Sequence, residues 1–292
     1  MTPRSGTPVG PALLVVGAAT SQEVGAAFAV GLFAALGAGG ATVARFAVAG
    51  VILCVAVRPR IRGLTRGAWV AAGLLALSLA TMNLCFYEAI SRIPLGIAVT
   101  IEVLGPLVLS VALSRRRIAW LWALLAFTGI AALGLSPKQM GGLNWLGVAF
   151  AVAAAASWAA YIVATSRAVT LFPRLDALAI ATVIGAVLLA PFAAFTVDTS
   201  ALHWHVAGLA VAVGLMSSVI PYSLELWSLR TLAPSTFAVL ACLAPVVAVL
   251  AGWAILDQRL TVLDCLAILL VTVASAGAVR STAGPELPPT LP

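Results

Sequence analysis

Long apolar segments alternate along the chain with short connections that contain Pro, Gly or Arg. A helix needs roughly 20 apolar residues to cross about 30 Å of hydrocarbon, and ten segments come close to that length. They lie near residues 11–31, 40–57, 68–90, 94–113, 118–136, 144–164, 175–195, 204–226, 234–256 and 261–279. The pattern predicts an all-α protein of ten transmembrane helices, whose short connections make neighbouring helices antiparallel.

The composition indicates that these segments lie in a membrane. Hydrophobic residues make up 63 % of the 292 residues and charged residues 9 %, against about 25 % charged in soluble domains. A soluble globule of this size has too little interior to bury so much apolar side chain. We therefore expect an integral membrane protein in contact with the lipid bilayer. A soluble enzyme, a nucleic-acid-binding protein and a disordered chain are excluded.

The net charge of +7 indicates how the helices are oriented. Basic residues collect in cytoplasmic loops, because they fix the orientation of the chain during insertion. With the N-terminus inside, only Arg92, Lys138 and Arg259 fall outside, and Arg45 falls within the second helix. Twelve others then lie on the cytoplasmic side: Arg4, Arg58, Arg60, Arg62, Arg66, Arg115, Arg116, Arg117, Arg167, Arg174, Arg230 and Arg280. We therefore expect both termini to be cytoplasmic.

The two halves of the chain resemble each other. Similar connections at 87–94 and 224–234 are each followed by an apolar helix with one internal proline, and Pro106 and Pro245 are 139 positions apart. Five helices per half is an odd number, so the halves must have opposite orientations. The pattern predicts two inverted five-helix repeats, 1–138 and 139–280, and a disordered tail at 281–292. Inverted repeats around a central binding site recur in transporters, where internal prolines are candidate hinges.

Three ionisable residues are predicted within the membrane, where each is a candidate functional site. Glu23 and Glu102 lie about 12 Å below the outer surface, at 1.5 Å of rise per residue. Loss of hydration favours the neutral form of a carboxyl, so each can exchange a proton and compete for a substrate ammonium. The alternative is an acid that only hydrogen-bonds between helices. Arg45, one turn inside helix two, binds a carboxylate, balances Glu23 as a counter-charge, or snorkels as a structural residue.

Further polar and aromatic residues are candidates for lining a substrate path. They are Asn83, Tyr87 and Glu88 on helix three, Trp158 and Tyr161 on helix six, and Tyr222 and Glu225 on helix eight. Asn83 and Tyr87 are four apart and share a helix face. Trp158 and Tyr161 are three apart and form either a cavity wall or ordinary packing contacts. Glu225 either lines the path or pairs with Arg230 at the cytoplasmic rim.

We expect neither a metal site nor a cofactor. His203 and His205 fall in an outer loop, and the cysteines, each within an apolar run, show no ligand spacing. The chain has no Walker motif, which argues against transport driven by ATP through this chain alone.

Two stretches resemble the threonine/homoserine exporter group of the EamA family, in the drug/metabolite transporter superfamily. In the first half they are Asn-Leu-Cys-Phe-Tyr-Glu-Ala-Ile-Ser-Arg-Ile-Pro-Leu-Gly at 83–96, with Ile-Glu at 101–102 and Gly-Pro at 105–106. In the second half, Ile-Pro-Tyr-Ser-Leu-Glu-Leu stands at 220–226. The resemblance covers about 10–280. It implies ten helices in two inverted halves around a central cavity, in the bacterial inner membrane, and export of small amino acids in exchange for protons.

Two positions depart from the pattern of that family. Its members often carry Glu before the proline of helix nine, where this chain has Ala244. They also tend to close that helix with Gly-Glu-Arg, where Asp257, Gln258 and Arg259 stand here. The second half therefore has fewer carboxylates, and no coupling scheme for this chain can use an acid at position 244.

We therefore expect a secondary transporter that exports threonine-like or homoserine-like amino acids. In this hypothesis Glu102, with Glu23, alternates between a proton and the substrate ammonium, while Asn83, Tyr87 and Tyr222 bind polar groups. The main alternative keeps the fold and exports another metabolite or a hydrophobic cation. A membrane-embedded enzyme or sensor and a passive channel are more remote alternatives. The expected partners are a small-molecule substrate, protons and lipid, and the protein is either a monomer or a homodimer.

Overall fold

A computed structural model of the protein describes residues 9–113, 118–134, 144–172, 175–197, 203–229, 240 and 242–282. Within these ranges the chain is helical apart from short connections, and contains no strand. The helices are α1 (Val9–Val30), α2 (Phe33–Val57), α3 (Arg66–Ile90), α4 (Leu95–Glu102), α5 (Leu104–Leu113), α6 (Ile118–Gly134), α7 (Trp145–Leu171), α8 (Asp176–Thr196), α9 (Trp204–Gly214), α10 (Ile220–Leu229), α11 (Ala244–Leu256) and α12 (Val262–Thr282). A π-helical turn, Leu215–Val219, joins α9 to α10.

These helices group into the ten predicted apolar segments. Five are long and apolar enough to cross a membrane: Leu13–Val30, Phe33–Val57, Arg66–Ile90, Trp145–Leu171 and Trp204–Glu225. Five shorter apolar helices lie at Leu95–Leu109, Trp120–Gly129, Asp176–Pro191, Ala244–Leu256 and Val262–Gly277. Large apolar side chains remain exposed on the outside of the bundle, with Trp120 67 % and Val262 78 % exposed. Such a surface fits contact with lipid, because water would penalise it.

Some predictions concern residues outside the described ranges. They include the basic residues Arg4, Arg115, Arg116, Arg117, Lys138, Arg174 and Arg230. Helix α12 extends through Thr282, two residues into the segment predicted as a tail, and residues 283–292 lie outside the description.

Helix α2 begins seven residues earlier than predicted. The second membrane segment was predicted near 40–57, but α2 starts at Phe33. Only Gly37 leaves the helical conformation, at φ 65° and ψ 172°, a region that glycine enters without a steric cost. The earlier start places Arg45 at the middle of the helix instead of one turn inside it.

Pro106 and Pro245 begin half-helices, which corrects the prediction that they lie inside continuous ones. Pro106 is the third residue of α5, after a break at Val103, and Pro245 is the second residue of α11. Proline removes one backbone donor and crowds the carbonyl four residues earlier, but the first turn of a helix tolerates it. As a result Glu102 is the last residue before a break in its membrane segment.

The most extensive helix contacts join the first half of the chain to the second. Helix α2 packs on α8, α4 on α11, and α6 on α12. Helix α3 packs on α7 and α8, while α1 and α2 both pack on the segment formed by α9, the π-helical turn and α10. The interior is therefore built from interleaved halves.

Glycines allow the closest of these helix approaches. A Cβ at Gly105 in α5 would overlap the carbonyl oxygen of Ala155 in α7. A Cβ at Gly96 in α4 would lie 2.7 Å from the side chain of Val249 in α11. Small residues are favoured at such contacts because they let membrane helices approach closely.

We predict that Gly105→Ala destabilises the protein. The added methyl group collides with a backbone atom that cannot rotate away, and overpacking of this kind costs about 1–3 kcal/mol. The melting temperature of the detergent-purified protein should fall. Gly73→Ala is the matched control, because a Cβ there has no neighbour within 4 Å. Equal melting temperatures for the two variants would contradict the close packing of α5 on α7.

Candidate functional site

A buried arginine holds three membrane segments together. Arg45 of α2 is 2 % exposed. Its Nε donates to the Ser218 hydroxyl at 2.6 Å, and its Nη2 donates to the Ser217 carbonyl and, at 3.3 Å, to the Tyr222 hydroxyl. Its Cζ lies 5.4 Å from the ring centroid of Tyr87 and 5.9 Å from that of Tyr222. Arg45 therefore does not snorkel, because its head group is bound inside the bundle.

The Ser217 carbonyl is available to Arg45 because of a proline. In a regular α-helix this carbonyl would accept from the amide of residue 221, and Pro221 has no amide hydrogen. The chain forms its π-helical turn at this place, over Leu215–Val219. Such turns are frequent at functional sites, where they redirect backbone groups.

Helix α1 packs closely on the π-helical turn and brings Glu23 to the cluster. The Ser21 hydroxyl donates to the Met216 carbonyl at 2.7 Å. A Cβ at Gly25 would overlap the Ser217 hydroxyl, so only glycine fits this contact. Glu23, between these two contact residues, is 2 % exposed.

Tyr222 also connects the arginine to Asn83 on α3. The Asn83 Nδ2 donates to the Tyr222 hydroxyl at 3.2 Å and to the Leu79 carbonyl at 2.7 Å, and the Tyr222 hydroxyl lies 3.4 Å from the Asn83 Oδ1. The structure thus brings together four of the predicted residues: Arg45, Asn83, Tyr87 and Tyr222.

The two candidate carboxyls are buried near Arg45 but do not contact it. Glu23 is 2 % and Glu102 7 % exposed. Neither makes a hydrogen bond to the described residues, and within that part of the chain no carboxylate oxygen lies within 4.0 Å of an Arg45 nitrogen. Glu23 is nevertheless within electrostatic range of both Glu102 and Arg45. The interior around Arg45 therefore holds one cation and two carboxyls, with no contact ion pair among the described residues.

The structure does not bring Glu88 into this cluster. Its side chain pairs with Arg92 at the end of α3, and the Arg92 Cζ lies 5.1 Å from the ring centroid of Phe150. Glu88 and Arg92 are four residues apart, the spacing at which side chains meet on one helix face. We therefore do not retain Glu88 as a substrate ligand.

The aromatic residues of α7 lie beside the cluster. Tyr161 is 9 % exposed, and its ring centroid lies 6.3 Å from that of Tyr222. Trp158 is half-buried and packs against two hydrophobic clusters, so the structure assigns it a packing role.

Glu225 of α10 is half-buried and within electrostatic range of Tyr161 and Tyr222. The alternative partner predicted for Glu225, Arg230, lies outside the described residues.

The two positions that depart from the family pattern have different structural roles. Ala244 is buried as the first residue of α11. Gln258 accepts a hydrogen bond through its Oε1 from the Leu95 amide at 3.1 Å, and so caps the start of α4. A glutamate could accept the same bond, so glutamine at 258 preserves the contact between α4 and the residues that follow α11.

A groove between two helices lies apart from the cluster. It has a volume of about 450 Å³, lies between α2 and α9, and is lined mainly by apolar side chains with His203. Among the described residues, no group of three His, Cys, Asp or Glu side chains is placed to hold a metal ion.

Comparison with known proteins gives consistent results. A sequence model described as the EamA-like transporter family matches residues 145–280. The threonine/homoserine exporter RhtA of Escherichia coli (strain K12) is 33 % identical over 267 residues, which cover 91 % of this chain and 90 % of that protein. RhtA of Salmonella typhimurium (strain SL1344) has the same identity and coverage. A protein of known crystal structure superposes with a TM-score of 0.64 at 19 % identity, over 94 % of this chain and 98 % of the other, which shows a common fold.

We predict that Tyr222→Phe loosens the cluster. The change removes one hydrogen-bond partner from Arg45 and one from Asn83, and each such bond contributes about 1 kcal/mol to stability. The melting temperature of the purified protein should fall further than that of Tyr161→Phe, a neighbouring tyrosine that bonds to neither residue. A smaller effect at position 222 than at 161 would contradict the bridging role of the Tyr222 hydroxyl.

Proposed function

The chain belongs to the EamA-like transporter family, and on that premise we propose that it exports small neutral amino acids such as threonine and homoserine in exchange for protons. As a relative of RhtA it is a membrane-embedded exporter of the drug/metabolite transporter superfamily. The observation that carries the proposal is the pair of buried carboxyls, Glu23 and Glu102, beside Arg45 and without a contact ion pair. Buried ionisable groups of this kind in membrane proteins mark substrate and proton pathways.

Exchange of substrate for protons would follow if both compete for the carboxyl of Glu102. When Glu102 is ionised, it attracts the ammonium group of a substrate, and when it is protonated, it no longer does. A carboxyl in an apolar interior does not stay charged without a partner, because desolvation penalises its ionised form. Release of the substrate therefore favours uptake of a proton. Glu23 shares this task in the proposal, while Arg45 serves as the counter-charge that limits repulsion between the two acids.

The residues around these charges would form the rest of the binding site. Asn83, Tyr87 and Tyr222 offer amide and hydroxyl groups to polar atoms of the substrate, and Tyr161 offers an aromatic wall. Glu225 would lie on the path between the site and one membrane face. A permanent lipophilic cation is a less suitable cargo, because the guanidinium of Arg45 repels it.

We further propose that 1–138 and 139–280 are inverted repeats that rock about the site. The packing supports this, because each main contact has a counterpart when every helix is replaced by the equivalent helix of the other half. The contact of α3 with α7 then corresponds to that of α10 with α1, and the contact of α2 with α8 corresponds to itself. Asn83 and Tyr222, which hydrogen-bond to each other, are 139 positions apart, the separation of Pro106 and Pro245. Rocking of inverted repeats would expose one site to the two membrane faces in turn.

The proposed orientation places both termini in the cytoplasm of a bacterial cell. A fluorescent protein fused to the C-terminus should then fluoresce, and alkaline phosphatase fused there should be inactive, because each folds only in its own compartment. The reverse result would overturn the orientation inferred from the arginines.

The decisive test of proton coupling is Glu102→Gln in proteoliposomes with an imposed pH gradient. We expect the wild type to accumulate labelled threonine or homoserine, and a protonophore to abolish the accumulation. Glu102→Gln should lose gradient-driven accumulation, because an amide cannot carry the proton. Glu23→Gln should weaken it.

Glu88→Gln is the matched control, because Glu88 is the nearby glutamate that pairs with Arg92 away from the cluster. It should transport like the wild type. Full gradient-driven transport by Glu102→Gln would refute the coupling role of Glu102. Gradient-dependent flux of a lipophilic cation, but of no amino acid, would favour the alternative cargo.

A further inference from the structure

We propose that Arg45 binds the α-carboxylate of the transported substrate, so that the site selects amino acids that carry both a free carboxylate and a free ammonium. This inference rests on the proposed function and deepens it. In addition to its role as a counter-charge, Arg45 would then contact the substrate directly.

The guanidinium of Arg45 has one edge that is not used. Its hydrogen bonds to the described residues involve only Nε and Nη2. The two hydrogens on Nη1 have no acceptor in that part of the chain, although arginine offers five donors in a fixed planar arrangement. A carboxylate matches two parallel N–H bonds on neighbouring nitrogens, so it would take one Nη1 hydrogen and one Nη2 hydrogen through charge-assisted bonds, displacing the 3.3 Å bond of Nη2 to the Tyr222 hydroxyl.

The acceptors that Arg45 does use are all neutral. They are the Ser218 hydroxyl, the Ser217 carbonyl and the Tyr222 hydroxyl. A buried guanidinium is usually paired with an anion, because neutral partners do not compensate fully for its lost hydration. The two nearby carboxyls lie beyond 4.0 Å, so the anionic partner is one that the described residues do not supply.

Three more buried polar atoms near Arg45 have no partner in the described part of the chain. They are the hydroxyl oxygen of Ser217, the hydroxyl oxygen of Tyr87 and the Oε2 of Glu23. Native structures rarely bury polar atoms without partners, and exceptions point to a ligand or a water. Either hydroxyl can donate to a carboxylate, and the glutamate oxygen can accept from an ammonium. An α-amino acid carries both groups on one carbon.

In this proposal the carboxylate and the ammonium of the substrate bind to different charged side chains, so compounds that lack either group should bind poorly. Threonine presents its carboxylate to Arg45 and its ammonium to Glu23 or Glu102. Threoninamide keeps the ammonium but replaces the carboxylate with a neutral amide, and would leave Arg45 unpaired. Homoserine lactone has lost its carboxylate in the same way and should also be a poor ligand.

The test is exchange of labelled threonine across proteoliposomes, without a pH gradient, in competition with unlabelled compounds. We expect threonine to compete roughly tenfold or more better than threoninamide, because two charge-assisted hydrogen bonds are lost. In Arg45→Lys this ratio should shrink towards one through weaker binding of threonine, because a lysine cannot form the planar pair of bonds.

Two further variants separate binding from folding. Ser218→Ala removes only the partner of Arg45 Nε, and should weaken competition by threonine more than competition by threoninamide even if Arg45→Lys does not fold. Arg92→Lys is the matched control for an arginine outside the cluster, and should keep the wild-type ratio.

Each outcome distinguishes this inference from the proposed function. Equal competition by threonine and threoninamide in the wild type would overturn the inference, while the observed threonine exchange would leave the proposed function intact. An unchanged ratio in both Arg45→Lys and Ser218→Ala would also overturn it, since another group would then recognise the carboxylate. Absence of exchange for every amino acid tested would overturn the proposed function and the inference together.

Discussion

A guanidinium in the middle of a membrane segment must find its hydrogen-bond partners within the protein, and this requirement organises the centre of the molecule. The hydrocarbon core of a bilayer contains no water to hydrogen-bond the guanidinium of Arg45, and a buried charge without hydrogen-bond partners is costly. Its partners come from a distant part of the chain, at Ser217, Ser218 and Tyr222. The bonds therefore join α2 to the segment around the π-helical turn, on which α1 with Glu23 also packs.

Sequence reasoning predicted the ten membrane segments because the bilayer sets their length and the composition leaves few apolar residues elsewhere. It was less accurate where local rules for soluble proteins differ from those in a membrane. The glycines before Arg45 resemble a connection, yet only Gly37 leaves the helical conformation. Gly39 and Gly40 are buried within the helix, and small residues of this kind are common on the buried faces of membrane helices.

The sequence predicted those residues of the candidate site that are ionisable, because burying a charge in a membrane is energetically costly and such residues are rare there. Glu23, Glu102 and Arg45 are identified by their place within apolar segments. The Ser217 carbonyl was not identified as an arginine ligand, because every residue has a carbonyl and only Pro221, four positions later, signals that this one lacks its usual donor. Glu88 was predicted to line the substrate path. Arg92 is one helical turn away, however, and that spacing already favoured the ion pair found in the structure.

The buried charges of the cluster are unevenly distributed between the two halves of the chain. The three buried charges of the cluster, Glu23, Arg45 and Glu102, belong to the first half of the chain, and the acceptors that hold Arg45 belong to the second. Ala244 adds no carboxyl from the second half. If the halves rock against each other, the charges keep their mutual distances while Arg45 exchanges its neutral acceptors for other partners. An arginine held by neutral groups is easier to transfer to a substrate carboxylate than one in a contact ion pair, because no pair of opposite charges has to be separated first.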